Sequence, residues 1–131
     1  MADLQYAVDP VTQLELRVPA GIWPEQAIEH ARRGRDGELR GIRFGLDWGH
    51  DYPLWEPGSE LYTLVPDDLR LSRDLGARLH AWAATWFAHC SPEHGWDSEE
   101  RHRTWVDAGH RLADELELEL YDVAQVTREF S

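Results

Sequence analysis

Two runs of apolar residues, each repeating at the pitch of an α-helix, constrain this chain more than any other feature in it. Leu75, Leu79, Trp82 and Trp86 recur at i, i+4, i+7 and i+11, and Trp105, Gly109, Leu112 and Leu116 repeat the same spacing. Each run places one apolar stripe along one side of a helix, and each stripe needs a cover. The simplest cover for either is the other, which predicts an antiparallel helical hairpin with Gly109 allowing close approach. Ser72 and Ser98 supply N-caps. Asp74 and the pair Glu99-Glu100 follow them in the first turns, where the helix dipole favours acid. Pro92 stops the first helix, and a short linker with Gly95 and Trp96 leads to the second.

The rest of the chain carries shorter signals. Leu4 to Val8 and Gln13 to Val18 alternate with period two and read as a β-hairpin turning around Asp9 to Thr12. Pro24 opens a short helix with Ala27, Ile28 and Ala31 as its stripe, Arg32 and Arg33 in its last turn and Gly34 as its C-cap. After the Asp36-Gly37 turn, Leu39 to Leu46 reads as a strand with Ile42, Phe44 and Leu46 on one face. Leu118 to Val126 reads as the closing strand. Residues 47–70 form a long irregular stretch, with Glu60 to Val65 as an optional short strand; a stretch of this length inside a compact domain is usually functional or mobile. The expected architecture is a single α+β domain over residues 1–131. A small, mostly antiparallel sheet packs against an antiparallel helical hairpin, with one short helix beside it.

Charge narrows the partners. Twenty-five acidic residues face thirteen basic ones, all arginine, for a formal charge of -12. Such a field repels nucleic acid and anionic membranes and attracts cationic proteins, so neither of the first two is an expected partner. The distribution is uneven: Arg32, Arg33, Arg35, Arg40 and Arg43 make residues 31–46 locally basic, and acids dominate from Asp47 onward. The single cysteine, Cys90, forbids an intramolecular disulfide. The first ten residues lack the basic and apolar regions of a signal peptide, and no apolar run approaches the ~20 residues of a membrane span. A cytoplasmic domain is expected, of open oligomeric state.

No constellation identifies a reaction, and the expectation is a protein that is not an enzyme. His89, Cys90 and His94 crowd the end of the first long helix, but adjacent helical residues point about 100° apart and no second ligand pair exists. A capping histidine and a buried thiol account for them, and no metal is expected. Asp47, His50 and Asp51 could make a general base, although loops favour Asp for turn reasons alone. No glycine-rich phosphate loop and no G-x-S-x-G elbow is present, so no cofactor is expected.

What remains is an interaction surface. Trp48, Tyr52 and Trp55 share the long loop with Asp47, Asp51 and Glu56. They read either as a loop pinned by its own aromatics or as a patch in which ring burial gives affinity and acids steer association. Glu99, Glu100 and Asp107 read either as a solvated helix face or as an acidic docking face for a basic protein that competes with nucleic acid for the same surface.

The segments Asp51-Tyr-Pro-Leu-Trp55 and Val65-Pro-Asp-Asp-Leu-Arg-Leu-Ser72, the two Trp/Leu stripes, Leu112-Ala113 and the closing strand resemble a group of small, acidic, Trp-rich actinobacterial proteins. Some of these are similar to immunity proteins encoded beside polymorphic toxins. The likeness spans roughly residues 47–126. It implies an inhibitor that binds and neutralises a cognate basic toxin, such as a nuclease or another enzyme acting in the cytoplasm, and it brings no catalytic motif. On this reading the partner-binding residues are Asp47, Trp48, Asp51, Tyr52 and Glu56, supported by Glu99, Glu100 and Asp107. The alternatives are a small enzyme using His50 with Asp47 and Asp51, and a homo-oligomer whose tryptophans bury one another.

Overall fold

A computed structural model describes residues 5–131. In chain order the elements are β1 (Gln5–Val8), β2 (Glu15–Val18), α1 (Pro24–Arg35), β3 (Arg40–Gly45), β4 (Leu54–Trp55), α2 (Arg73–His89), β5 (Cys90–Ser91), β6 (Gly95–Trp96), α3 (Glu99–Glu119) and β7 (Ala124–Glu129). A single turn of 3-10 helix, Pro66–Leu69, interrupts the stretch before α2. This is the expected α+β class, with strands packed against three helices. Position 4, read as the start of the first strand, lies outside the described residues.

The helical hairpin forms as its stripes require. Leu75, Leu79, Trp82, Trp105, Leu112 and Leu116 are buried in one core with Ile42 and Phe44 of β3 and Leu54 of β4. Trp82 and Trp105 stack at 4.1 Å with ring planes 3° apart. Each indole N–H donates to the other residue's backbone carbonyl, at 2.8 and 2.9 Å, so both polar groups are satisfied inside the core. Glycine at 109 makes this possible, because a Cβ there would lie 2.6 Å from the Trp82 ring and 2.7 Å from Phe130. Ser72 and Ser98 cap α2 and α3 by accepting from the amides of Leu75 and Arg101.

The strands form three small sheets rather than one: β1-β2, β4-β3-β7 and β5-β6. Three of the pairings are antiparallel. The fourth, β3 with β7, is parallel and runs from Arg40 opposite Ala124 to Gly45 opposite Glu129. A parallel pair needs a crossover connection, and the α2–α3 hairpin provides it. Between residues 60 and 65 only a single bridge forms, Trp55 to Thr63.

Two boundaries differ from the sequence reading. The segment from Leu118 continues α3 to Glu119 and turns before β7 begins at Ala124. Leu112, Leu116 and Leu120 are all buried, so the four-residue stripe outweighs the local Glu-Leu alternation. Gly34 lies inside α1 and not beyond it, and Asp36 is the C-cap. A side chain at 34 would collide with Gln125 of β7, and the left-handed turn falls to Gly37 at φ +73°.

The N-terminal ββα unit packs on this body without joining its core. Val18 and Ala27 are buried together with their own neighbours, and the main cluster begins at Ile42. Asp9, a turn residue by sequence, is 1% exposed and bound to Arg35, tying the hairpin turn to α1. The Val11 amide and then Arg35 hold its carboxyl below the ordinary value, against burial, which pushes it up. The links to the body are one ring stack, His30 on Tyr121 at 4.1 Å, and several polar contacts. Arg17 reaches Asp114 at 3.0 Å and Glu117 at 2.7 Å, His30 donates to the Ala124 carbonyl at 3.0 Å, and Arg33 donates to the Asp122 carbonyl at 2.8 Å.

Candidate functional site

The long loop is held by apolar and hydrogen-bonded anchors. Leu54 and Leu64 are fully buried, and the Leu64 amide donates to the Leu54 carbonyl. The Trp55 indole donates to the Gly45 carbonyl at 3.0 Å, so this ring serves the fold. His50 bonds through Nε2 to the Leu64 carbonyl at 2.9 Å and meets Trp55 edge-on. Neither Asp47 nor Asp51 bonds to it. Asp47 instead accepts from the Trp48 amide at 2.8 Å, a local turn bond.

Trp48 is different. It is 45% exposed and lies against Trp86 and Phe87 of α2, 4.5 and 5.5 Å between ring centres. Its indole N–H has no partner among the described residues, the usual state of an aromatic with one wet edge. Tyr52 packs on His80, about two turns earlier on the same helix, at 5.1 Å. Asp51, His80, Ala84, Phe87 and Ala88 surround a hollow of about 450 Å³. The loop thus rests on one flank of α2.

The other flank faces α3 across a groove of about 760 Å³. Its floor is the Trp82–Trp105 pair, and Ala81, Thr85, Thr104 and Ala108 form its walls. Glu100 stands near one end, and Arg78, bound to Glu115 by two hydrogen bonds, closes the other. Between the flanks runs an exposed ridge of α2 made of Ala77, Ala81, Ala84 and Ala88. Because α3 runs antiparallel to α2, its first turn lies beside the last turns of α2. Trp48, on Trp86 and Phe87, therefore lies toward the end of the hairpin where α3 starts with Glu99 and Glu100, and Tyr52, on His80, lies nearer the middle of α2. Asp107 is exposed about two turns further along α3.

The charges there are not spent within the protein. Arg17, Arg43, Arg78 and Arg128 are all engaged with carboxylates elsewhere. Asp47, Asp51, Glu99, Glu100 and Asp107 have no ion-pair partner among the described residues. Glu56 stands apart: Arg40 grips both of its oxygens at 2.8 Å and holds its carboxyl below the ordinary value. Its first service is to join β3 to the loop.

The remaining sequence candidates have structural partners. His89 bonds to Asp97 at 2.7 Å, and Cys90 pairs with Trp96 in the β5–β6 hairpin. Burial and then Asp97 push the Cys90 thiol up, away from the reactive thiolate. Among the described residues no group of three or more His, Cys, Asp or Glu is placed to hold a metal ion, and no helix is long and apolar enough to cross a membrane. Sequence reading missed the alanine ridge, although the spacing of 77, 81, 84 and 88 is helical and was there to be read. The groove, by contrast, depends on how two helices sit together.

No curated protein matches the chain. A model of the family described as Serratia CdiI immunity protein-like matches residues 40–128. That span begins on β3, ends on β7 and takes in the loop, both long helices and every residue of the surface just described. Covering well over half of the 131 residues, the match places this chain in the Serratia CdiI immunity protein-like family.

Proposed function

We propose that this immunity-family protein neutralises a cognate, basic protein toxin by covering it with the surface at the α2–α3 end. One observation carries the reading. Asp47 and Asp51 beside the half-exposed Trp48 on one flank of α2, and Glu99, Glu100 and Asp107 on the exposed side of α3, have no ion-pair partner among the described residues, and the small-residue ridge of α2 runs between the flanks. Unspent acids steer a basic partner and raise the association rate, and aromatic burial slows its release. The alanine ridge adds little area of its own but lets a partner backbone come close. A toxin that works on nucleic acid in the cytoplasm, a nuclease for example, would present a basic cleft of matching sign. On this reading the protein needs no cofactor and performs no chemistry.

Co-expression with the product of the neighbouring toxin gene tests this directly. The expected result is a stable complex, protection of the host cell, and association that slows steeply with added salt. Asp51→Arg combined with Glu100→Arg should slow association at least about tenfold while leaving the melting temperature in place. Absence of both complex and protection overturns neutralisation. A complex whose association ignores salt and both reversals overturns the assignment of the surface.

A further inference from the structure

Two open strand edges share one cleft at the opposite end of α3. The cleft holds about 400 Å³ and is lined by Leu16, Arg17 and Pro19 on the β2 side and by Ala124 to Thr127 of β7 on the other. Neither strand pairs across it, since β2 bonds only to β1 and β7 only to β3.

Ladder geometry shows which backbone groups face the gap. The Arg40 amide donates to the Val123 carbonyl at 3.0 Å, and Arg40 sits opposite Ala124. In a parallel ladder this phase turns the N–H and C=O of 123, 125 and 127 toward β3, and those of 124, 126 and 128 away from it. Ala124 is already served, its amide by the Leu120 carbonyl and its carbonyl by His30. Val126, half-buried in the cleft, has both groups unpaired among the described residues. On the facing side the Asp9 amide donates to the Leu14 carbonyl, and Ala7 sits opposite Leu16. That phase turns Leu16 toward β1 and leaves the Arg17 backbone pointing outward.

A row of unpaired N–H and C=O groups is matched by an extended polypeptide and by little else. The charges around the cleft indicate its sign. Glu15 follows the same β2 edge, and the adjoining hollow that shares His30 and Tyr121 is lined by Glu25 and Asp122 with Arg33 as their one unpaired cation among the described residues. None of the three acids has an ion-pair partner among the described residues. Arg17 and Arg128, by contrast, are consumed by Asp114 and Glu117.

We propose that this cleft receives an extended, basic segment of the neutralised partner as an added strand between β2 and β7. The inference rests on the neutralisation reading and gives it a second point of attachment. The docking end would set the speed of encounter, and the strand would set register and partner identity, because backbone pairing fixes which side chains fall into the cleft.

The test is residue-resolved amide exchange on the full chain, alone and with the product of the neighbouring toxin gene. Alone, Val126 and Arg128 should exchange fast while Gln125 and Thr127 are slow. In the complex Val126 should become protected. Ala31→Trp, which fills the cleft from α1, should weaken binding at least about tenfold without touching the docking end. A product that binds while Val126 stays unprotected, or that binds Ala31→Trp as well as the unaltered chain, overturns the strand and leaves neutralisation standing. A product that does not bind the unaltered chain overturns both. Protection of Val126 that grows with the concentration of this chain alone makes a second copy the occupant and overturns the partner strand.

Discussion

Trp82 with Trp105, and Trp48 with Trp86, are two tryptophan pairs that each use one ring of α2 and have opposite fates. In the first pair each ring is buried and each indole N–H is met by the other residue's backbone. In the second, Trp48 is nearly half exposed and its N–H is met by nothing in the described residues. A tryptophan whose every group is satisfied internally can stabilise a fold but has nothing left to offer a partner. One that is satisfied on one side only costs the fold little and keeps its binding potential. Trp count alone therefore says nothing about interfaces; the hydrogen-bond state of the indole does.

The contrast can be broken at its strong end first. Trp105→Ala opens a cavity beneath the groove and leaves the Trp82 indole without its stacking partner. It should cost about 3–5 kcal/mol, read as a fall in the denaturant midpoint. A loss below about 1 kcal/mol would mean that the pair is not the keystone of the hairpin. At the weak end, Trp48→Ala should leave the midpoint within about 1 kcal/mol of the parent and reduce toxin affinity by about 2 kcal/mol or more. An unchanged affinity would make Trp48 a loop anchor and no more.

The smallest effect concerns the attached N-terminal unit. Asp9 has its carboxyl held low by the Val11 amide and Arg35. Its contribution to stability is fully present above the unfolded value and fades as pH falls through the lowered folded one. Asp9→Asn should therefore flatten the acid side of the stability profile and leave the shape of the neutral part unchanged. Equal acid slopes in parent and variant would show that the tie is unimportant.

Local signals carried well from sequence to structure, and distant ones did not. The stripes, the serine caps and the acids in the first turns lie within one or two turns of each other, and all reappear at the expected residues. The segment from Leu118 misled because Leu118, Leu120, Tyr121, Val123 and Val126 read locally as a strand, while the deciding pattern, Leu112, Leu116 and Leu120, is spread over a longer window. Gly34 resembled a helix cap because its actual reason, Gln125, lies far along the chain. The same distance hid the grip of Arg40 on Glu56 and the burial of Asp9. For the candidate surface, the residue types were legible in the loop and in α3. Their placement along the hairpin was not, because it depends on the antiparallel alignment of two helices.

The parallel ladder between β3 and β7 has a consequence in time. Its strands are on the order of eighty residues apart, so the central sheet cannot close until both long helices and β7 have been made. Until then β3 has only the two-residue β4 beside it, and the underside of the helical hairpin is bare. The docking of one short strand thus decides when the central sheet closes, and a nascent chain stalled before Ala124 has both long helices and no closed sheet to hold them.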